Sequence, residues 1–102
     1  LATSVERVEQ GEIPSAYRLD QNYPNPFNPS TVITFEIAQT KHVTLKIYNV
    51  LGKLVTTLVD GVKEPGVYRT TLQASALSSG VYFYSLAADG ATIQTKKMLL
   101  LR

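Results

Sequence analysis

Two eight-residue alternating runs, Thr31–Ala38 and Lys41–Tyr48, constrain this chain more than any other feature. In the first, Ile33, Phe35 and Ile37 share one phase while Thr34 and Glu36 occupy the other. In the second, Val43, Leu45 and Ile47 alternate with Thr44 and Lys46. A period of two marks a strand with one buried face, whereas a helix repeats its apolar stripe every three to four residues. The connector Gln39-Thr40 is short enough for a hairpin.

Further strand-like runs follow, with turn signals between them. Asn49-Val50-Leu51-Gly52 reads as a turn. Lys53–Val59 is a third run, ended by Asp60-Gly61, and Leu54, Val55 and Leu58 break its alternation in the manner of a bulge or an edge strand. Glu64-Pro65-Gly66 is a turn in which Pro presets φ and Gly supplies a positive φ. Val67–Gln73 is a strand, Ala74–Ser79 a crossing loop ending at Gly80, and Val81–Ala87 the richest strand of the chain. Asp89-Gly90 is a hairpin signal, and Ala91–Leu101 is the closing strand. Lys96 and Lys97 stand side by side there and leave its inward register open.

With Tyr17–Leu19 included, about seven short strands result. The expected fold is an all-β, immunoglobulin-like antiparallel sandwich. Val, Ile, Thr, Tyr and Phe, about a third of the chain, suit its half-buried surfaces. The predicted core is Ile33, Phe35, Ile37, Val43, Leu45, Ile47 and Leu86. Tyr82, after Leu77 and Gly80, fits either a tyrosine corner or plain core packing. Residues 1–16 are polar and patternless, with breakers at Gly11 and Pro14. They read as a linker from an upstream domain, disordered or weakly helical, so that the domain proper spans 17–102. Leu1 in place of Met points to a processed product or a piece of a longer chain.

Little of this suggests catalysis. There is no cysteine, which excludes a disulfide framework, thiolate metal ligands and cysteine nucleophiles. The lone histidine, His42, cannot make a zinc site and reads as a solvated surface residue. Asp60 and Asp89 each precede a glycine, which is turn chemistry. No catalytic, cofactor-binding or metal-binding residues are assigned, and no cofactor is expected. A net charge of +2 with no dense Lys/Arg stripe argues against a nucleic-acid partner. No run approaches the ~18 apolar residues of a membrane helix.

The unusual segment is Gln21–Ser30, which carries Tyr23, Pro24, Asn25, Pro26, Phe27, Asn28 and Pro29. Its prolines fix φ and push the preceding residues toward extended backbone. A stiff, extended connector is expected, with Tyr23 and Phe27 plugging one end of the sandwich; a docking motif is the alternative.

These residues, with three later motifs, resemble the type A C-terminal sorting domains of the type IX (Por) secretion system. Leu19–Thr31 is similar to the family's opening signature, and Val43–Gly52 to its central strand and Tyr-Asn-x-x-Gly turn. Leu77–Phe83 and Lys96–Arg102 are similar to its Leu-x-x-Gly-x-Tyr-Phe segment and its basic-apolar end. The resemblance implies a transport signal, carried by a covalently linked upstream cargo domain. It implies recognition in the periplasm, passage through an outer-membrane translocon, cleavage by a sortase-like peptidase, and a secreted or cell-surface destination. The sorting-motif candidates are Tyr23, Pro24, Asn25, Pro26, Phe27, Asn28, Pro29, Gly52, Gly80, Tyr82, Lys96, Lys97, Met98, Leu99 and Leu100. Met98–Leu101 either closes the sandwich or offers an unpaired edge for β-augmentation. The alternative function is a carbohydrate- or surface-binding accessory module of a secreted enzyme, with Tyr17, Tyr48 and Tyr68 as platform candidates.

Overall fold

The computed structural model describes residues 5–8 and 14–102. Eight strands run in chain order: β1 (Val5–Val8), β2 (Arg18–Leu19), β3 (Ser30–Ile37), β4 (Lys41–Tyr48), β5 (Leu54–Lys63), β6 (Gly66–Gln73), β7 (Gly80–Ala88) and β8 (Ala91–Leu100). They form two antiparallel four-stranded sheets, β1-β6-β3-β2 and β5-β4-β7-β8. The inward phases of β3 and β4 face one another across a single core. Ile33, Phe35, Ile37, Val43, Leu45, Ile47 and Leu86 are all fully buried, as their alternation predicts.

The hairpin expected at Gln39-Thr40 is instead a crossover, because β3 and β4 belong to opposite sheets. Alternation specifies which side chains turn inward; it does not specify which sheet receives them. The other crossovers are Glu64-Pro65 and Ala74–Ser79; the two tight hairpins are β4–β5 and β7–β8, and β2 pairs with β3 across the long Pro-rich connection. The latter turns at Asp89 (φ 48°) and Gly90 (φ 83°), the paired positive φ values of a type I′ turn.

Two local expectations also change, while the bulged edge strand expected at Lys53–Val59 is found. The β5 strand does not end at Asp60-Gly61; these residues pair with Thr44 and Val43, and the strand continues to Lys63. It is an edge strand with two register shifts, which leave Val55 and Leu58 as the extra residues that broke the alternation. Gly66 does not take a positive φ. Its missing side chain makes room, since a Cβ there would lie 2.7 Å from Arg7 Nε, and the Arg7 guanidinium donates to the Pro65 carbonyl.

The linker reading is corrected at Val5–Val8. These residues pair with Val67–Thr70 of β6, and Glu6 and Arg7 reach Arg69 and Glu64. An edge strand needs little alternation of its own when a neighbouring ladder supplies its partners. The remainder of the expectation for 1–4 and 9–13 lies outside the described residues.

Candidate functional site

The Pro-rich segment follows the first sheet as far as Tyr23, which bridges Val32 of β3, and rejoins it at Ser30. In between it crosses to the second sheet and closes the side of the sandwich where β2 and β8 both end. It is bent at 24–26 and again at 28–29, not extended. Phe27 carries the crossing. Its N–H donates to the Leu99 carbonyl (2.9 Å), and its own carbonyl accepts from the Leu101 N–H (3.0 Å). Its ring is buried in the common core, 2% exposed. Asn25 Oδ1 accepts from the Leu99 N–H (3.0 Å), and Gln21 Nε2 donates to the Lys97 carbonyl (2.7 Å).

The outer edge of β8 is therefore occupied from Lys97 to Leu101, and the open edge considered for β-augmentation is absent over those residues. Pairing with β7 also resolves the register of β8. Met98 faces Tyr82 and Leu100 faces Gly80, so both turn inward and are buried; Lys97 lies opposite Phe83 on the outer face. Ile93, the extra residue at a register shift, sets this phase.

The base of the segment is held by buried polar groups. The Tyr84 hydroxyl donates to the Asp20 carbonyl (2.8 Å) and accepts from the Asn22 N–H (2.7 Å). The Asn22 side chain, 2% exposed, donates to the Pro24 carbonyl and to Thr31 Oγ1, which in turn donates to the same carbonyl. Buried polar groups are tolerated when partnered in this way, and they fix one geometry. Burial is the main cause that pushes the Tyr84 hydroxyl up from its ordinary 10.0 to about 12; the nearby Asp20 charge adds to it and the Asn22 hydrogen bond opposes it.

Tyr84→Phe is expected to cost about 1–3 kcal/mol, because it strands the Asn22 N–H and the Asp20 carbonyl. Folding favours the protonated phenol. Its contribution is thus complete below pH 10 and is lost as pH rises through about 12. Urea unfolding across this range should show that decline in the parent chain, and Tyr84→Phe should lack this component.

Other candidates gather at the same end of the second sheet. The Tyr82 hydroxyl donates to the Ser78 carbonyl (2.7 Å), which makes the tyrosine corner. The Arg102 guanidinium donates to the carbonyls of Ala74, Ser75 and Leu77, so the crossing loop holds the chain end. Gly52 (φ 80°) ends the turn after β4, where Asn49 Oδ1 accepts from the N–H groups of Leu51 and Lys53. The structure thus joins Asn25 and Phe27 directly to Leu99 and Leu101 and places Gly80 and Tyr82 opposite Leu100 and Met98. Tyr23, Pro24, Pro26, Asn28 and Pro29 are exposed on the loop, and Tyr23 is 80% exposed. Gly52 sits apart, across β4 and β7 from the loop.

Sequence reasoning did not single out Thr31, Tyr84 and Arg102. The signal for Tyr84 was its inward phase, since a buried tyrosine hydroxyl needs a partner. A second tyrosine corner was also missed. Gly66-Val67-Tyr68 repeats Gly80-Val81-Tyr82, and the Tyr68 hydroxyl donates to the Glu64 carbonyl (2.7 Å). Tyr68 is buried and stacked on Phe35, with ring centroids 5.5 Å apart, so it is no ligand platform. Tyr17 packs against the core and Tyr48 lies on the outer face of the second sheet; the three share no surface. His42 is exposed, with Nε2 2.6 Å from Asp60 Oδ1.

No curated protein is matched by the chain. Residues 21–100 match the family described as secretion system C-terminal sorting domain, and this span runs from the foot of the Pro-rich segment to the end of β8. The chain therefore belongs to the C-terminal sorting domains, whose role is to serve as the sorting signal of type IX secretion.

Proposed function

We propose that the signal is the folded end of the sandwich, in which the Pro-rich segment and the C-terminal strand form one surface, and not a linear tail. The observation that supports this reading is the pair of backbone hydrogen bonds by which Phe27 grips Leu99 and Leu101. They hold Tyr23, Pro24 and Pro26 in fixed relation to Lys97, so a receptor meets loop and strand together. A sorting domain is not itself a catalyst, and its family role is export across the outer membrane with an attached cargo protein. The finer reading is that a translocon in the outer membrane recognises this surface from the periplasm. A sortase-like peptidase then separates the cargo from the domain.

The test fuses the whole chain to a reporter in a host with type IX machinery. Tyr23→Ala and the pair Lys96→Ala with Lys97→Ala alter exposed or half-exposed groups, and each should change stability by less than about 1 kcal/mol. Secreted reporter should nevertheless fall, while the melting temperature shifts by less than about 8 °C. If residues 96–102 alone export the reporter as well as the whole chain, the signal is linear and the proposal fails.

A further inference from the structure

A second surface stands on the outer face of the β5-β4-β7-β8 sheet, away from the Pro-rich segment. Opposed residues in an antiparallel sheet share a face. One outward row there is Leu54, Tyr48, Phe83 and Lys97, and the next is Thr57, Lys46, Ser85 and Thr95. The turn after β4 stands at the end of these rows. Val50 is 65% exposed, Leu51 80% and Leu54 54%. These are three of the six described large apolar side chains that are exposed.

Looseness does not explain their exposure. The Asn49 N–H donates to the Lys53 carbonyl and the Gly52 N–H to the Asn49 carbonyl, and Asn49 Oδ1 accepts twice more. Beneath the turn lies a groove of about 330 Å³, lined by Tyr48, Asn49, Val50, Phe83, Ser85 and Thr95 among others.

The charges around the groove are of one sign. Lys46 and Lys97 occupy its two rows, and Lys53 closes the turn. Among the described residues no lysine is in an ion pair, whereas Arg7, Arg18 and Arg69 all are. Neither row carries a carboxylate. Asp60 lies one row further on and is engaged with His42.

We propose that this groove docks a protein segment that presents a large apolar side chain flanked by carboxylates. The apolar side chain fills the space between Tyr48, Val50 and Phe83, and the carboxylates meet Lys46 and Lys97. A concave site framed by a hydrogen-bonded turn accepts a single side chain with little ordering cost. The inference goes beyond the sorting reading, because it rests on a different face and shares only Lys97 with the sorting surface.

The probe is an acetylated, amidated pentapeptide, Glu-Leu-Phe-Glu-Glu, titrated at millimolar concentration into the ¹⁵N-labelled whole chain and followed by amide chemical shifts. Saturable shifts are expected at Tyr48, Val50, Phe83, Ser85 and Thr95, and they should weaken with added salt. The peptide with Lys in place of Glu should not bind. Lys46→Glu with Lys97→Glu should weaken the acidic peptide at least about tenfold and admit the basic one. Val50→Asp, at an exposed position, should abolish the shifts without unfolding and serves if the double variant misfolds. The proposal is overturned if both peptides bind equally or neither binds. It is likewise overturned if the shifts fall elsewhere, or if phosphatidylglycerol vesicles bind and the peptide does not. Export of the parent fusion separates the two readings. Export without peptide binding overturns the docking groove alone; binding without export overturns the sorting surface alone.

Discussion

Phe27→Ala is expected to lower the unfolding free energy by about 3–5 kcal/mol, the usual cost of deleting a fully buried phenylalanine ring. The ring is 2% exposed and belongs to the core shared by both sheets, although it comes from a loop. Its loss also loosens the two backbone bonds to Leu99 and Leu101. Hydrogen exchange should therefore accelerate first at the Leu99 and Leu101 amides and then across β8. Phe27→Ala should also associate with itself at high concentration, because an uncovered strand edge is a template for pairing. Urea titration measures the first effect, and light scattering the last. A cost below about 1 kcal/mol with unchanged protection at Leu99 would mean that the segment does not hold the strand.

Phe35→Ala should have an effect of similar size with a different signature. Phe35 is fully buried on β3 and stacks on Tyr68, its register partner on β6. Truncation removes about 3–5 kcal/mol of burial and leaves a cavity between the sheets. It also removes an aromatic pair worth about 0.5–1.5 kcal/mol. Domains of this size hold only about 5–15 kcal/mol of stability in total. Melting temperature falls by roughly 4–8 °C per kcal/mol in chains of about this length, so a drop of more than about 12 °C is expected. Unlike Phe27→Ala, the loss should be global, with protection falling together in β3, β4, β6 and β7. A change below about 5 °C would place the centre of the core elsewhere.

The parts of this protein that were legible in its sequence share one property: the side chains themselves carry the signal. Ile33, Phe35 and Ile37 had to face one way because successive residues of a strand point to opposite sides. Asp89-Gly90 had to turn because few other pairs tolerate positive φ twice in succession. The four separated motifs of the family were readable for the same reason, since each is written in residue types. Fold class, core and family followed from these.

What tertiary structure decided was pairing. Alternation is indifferent to which sheet a strand joins, so the step from β3 to β4 looked like a hairpin and is a crossover. Val5–Val8 has no pattern of its own and becomes a strand because β6 presents it with a ladder. The register of β8 was ambiguous at Lys96 and Lys97, and β7 resolved it through a shifted residue at Ile93. The grip of Phe27 on Leu99 and Leu101 is the clearest case. Backbone N–H and carbonyl groups are the same at every residue but proline. The sequence therefore shows that they must be satisfied without showing by whom, and only the fold brings a loop near residue 27 against a strand near residue 99.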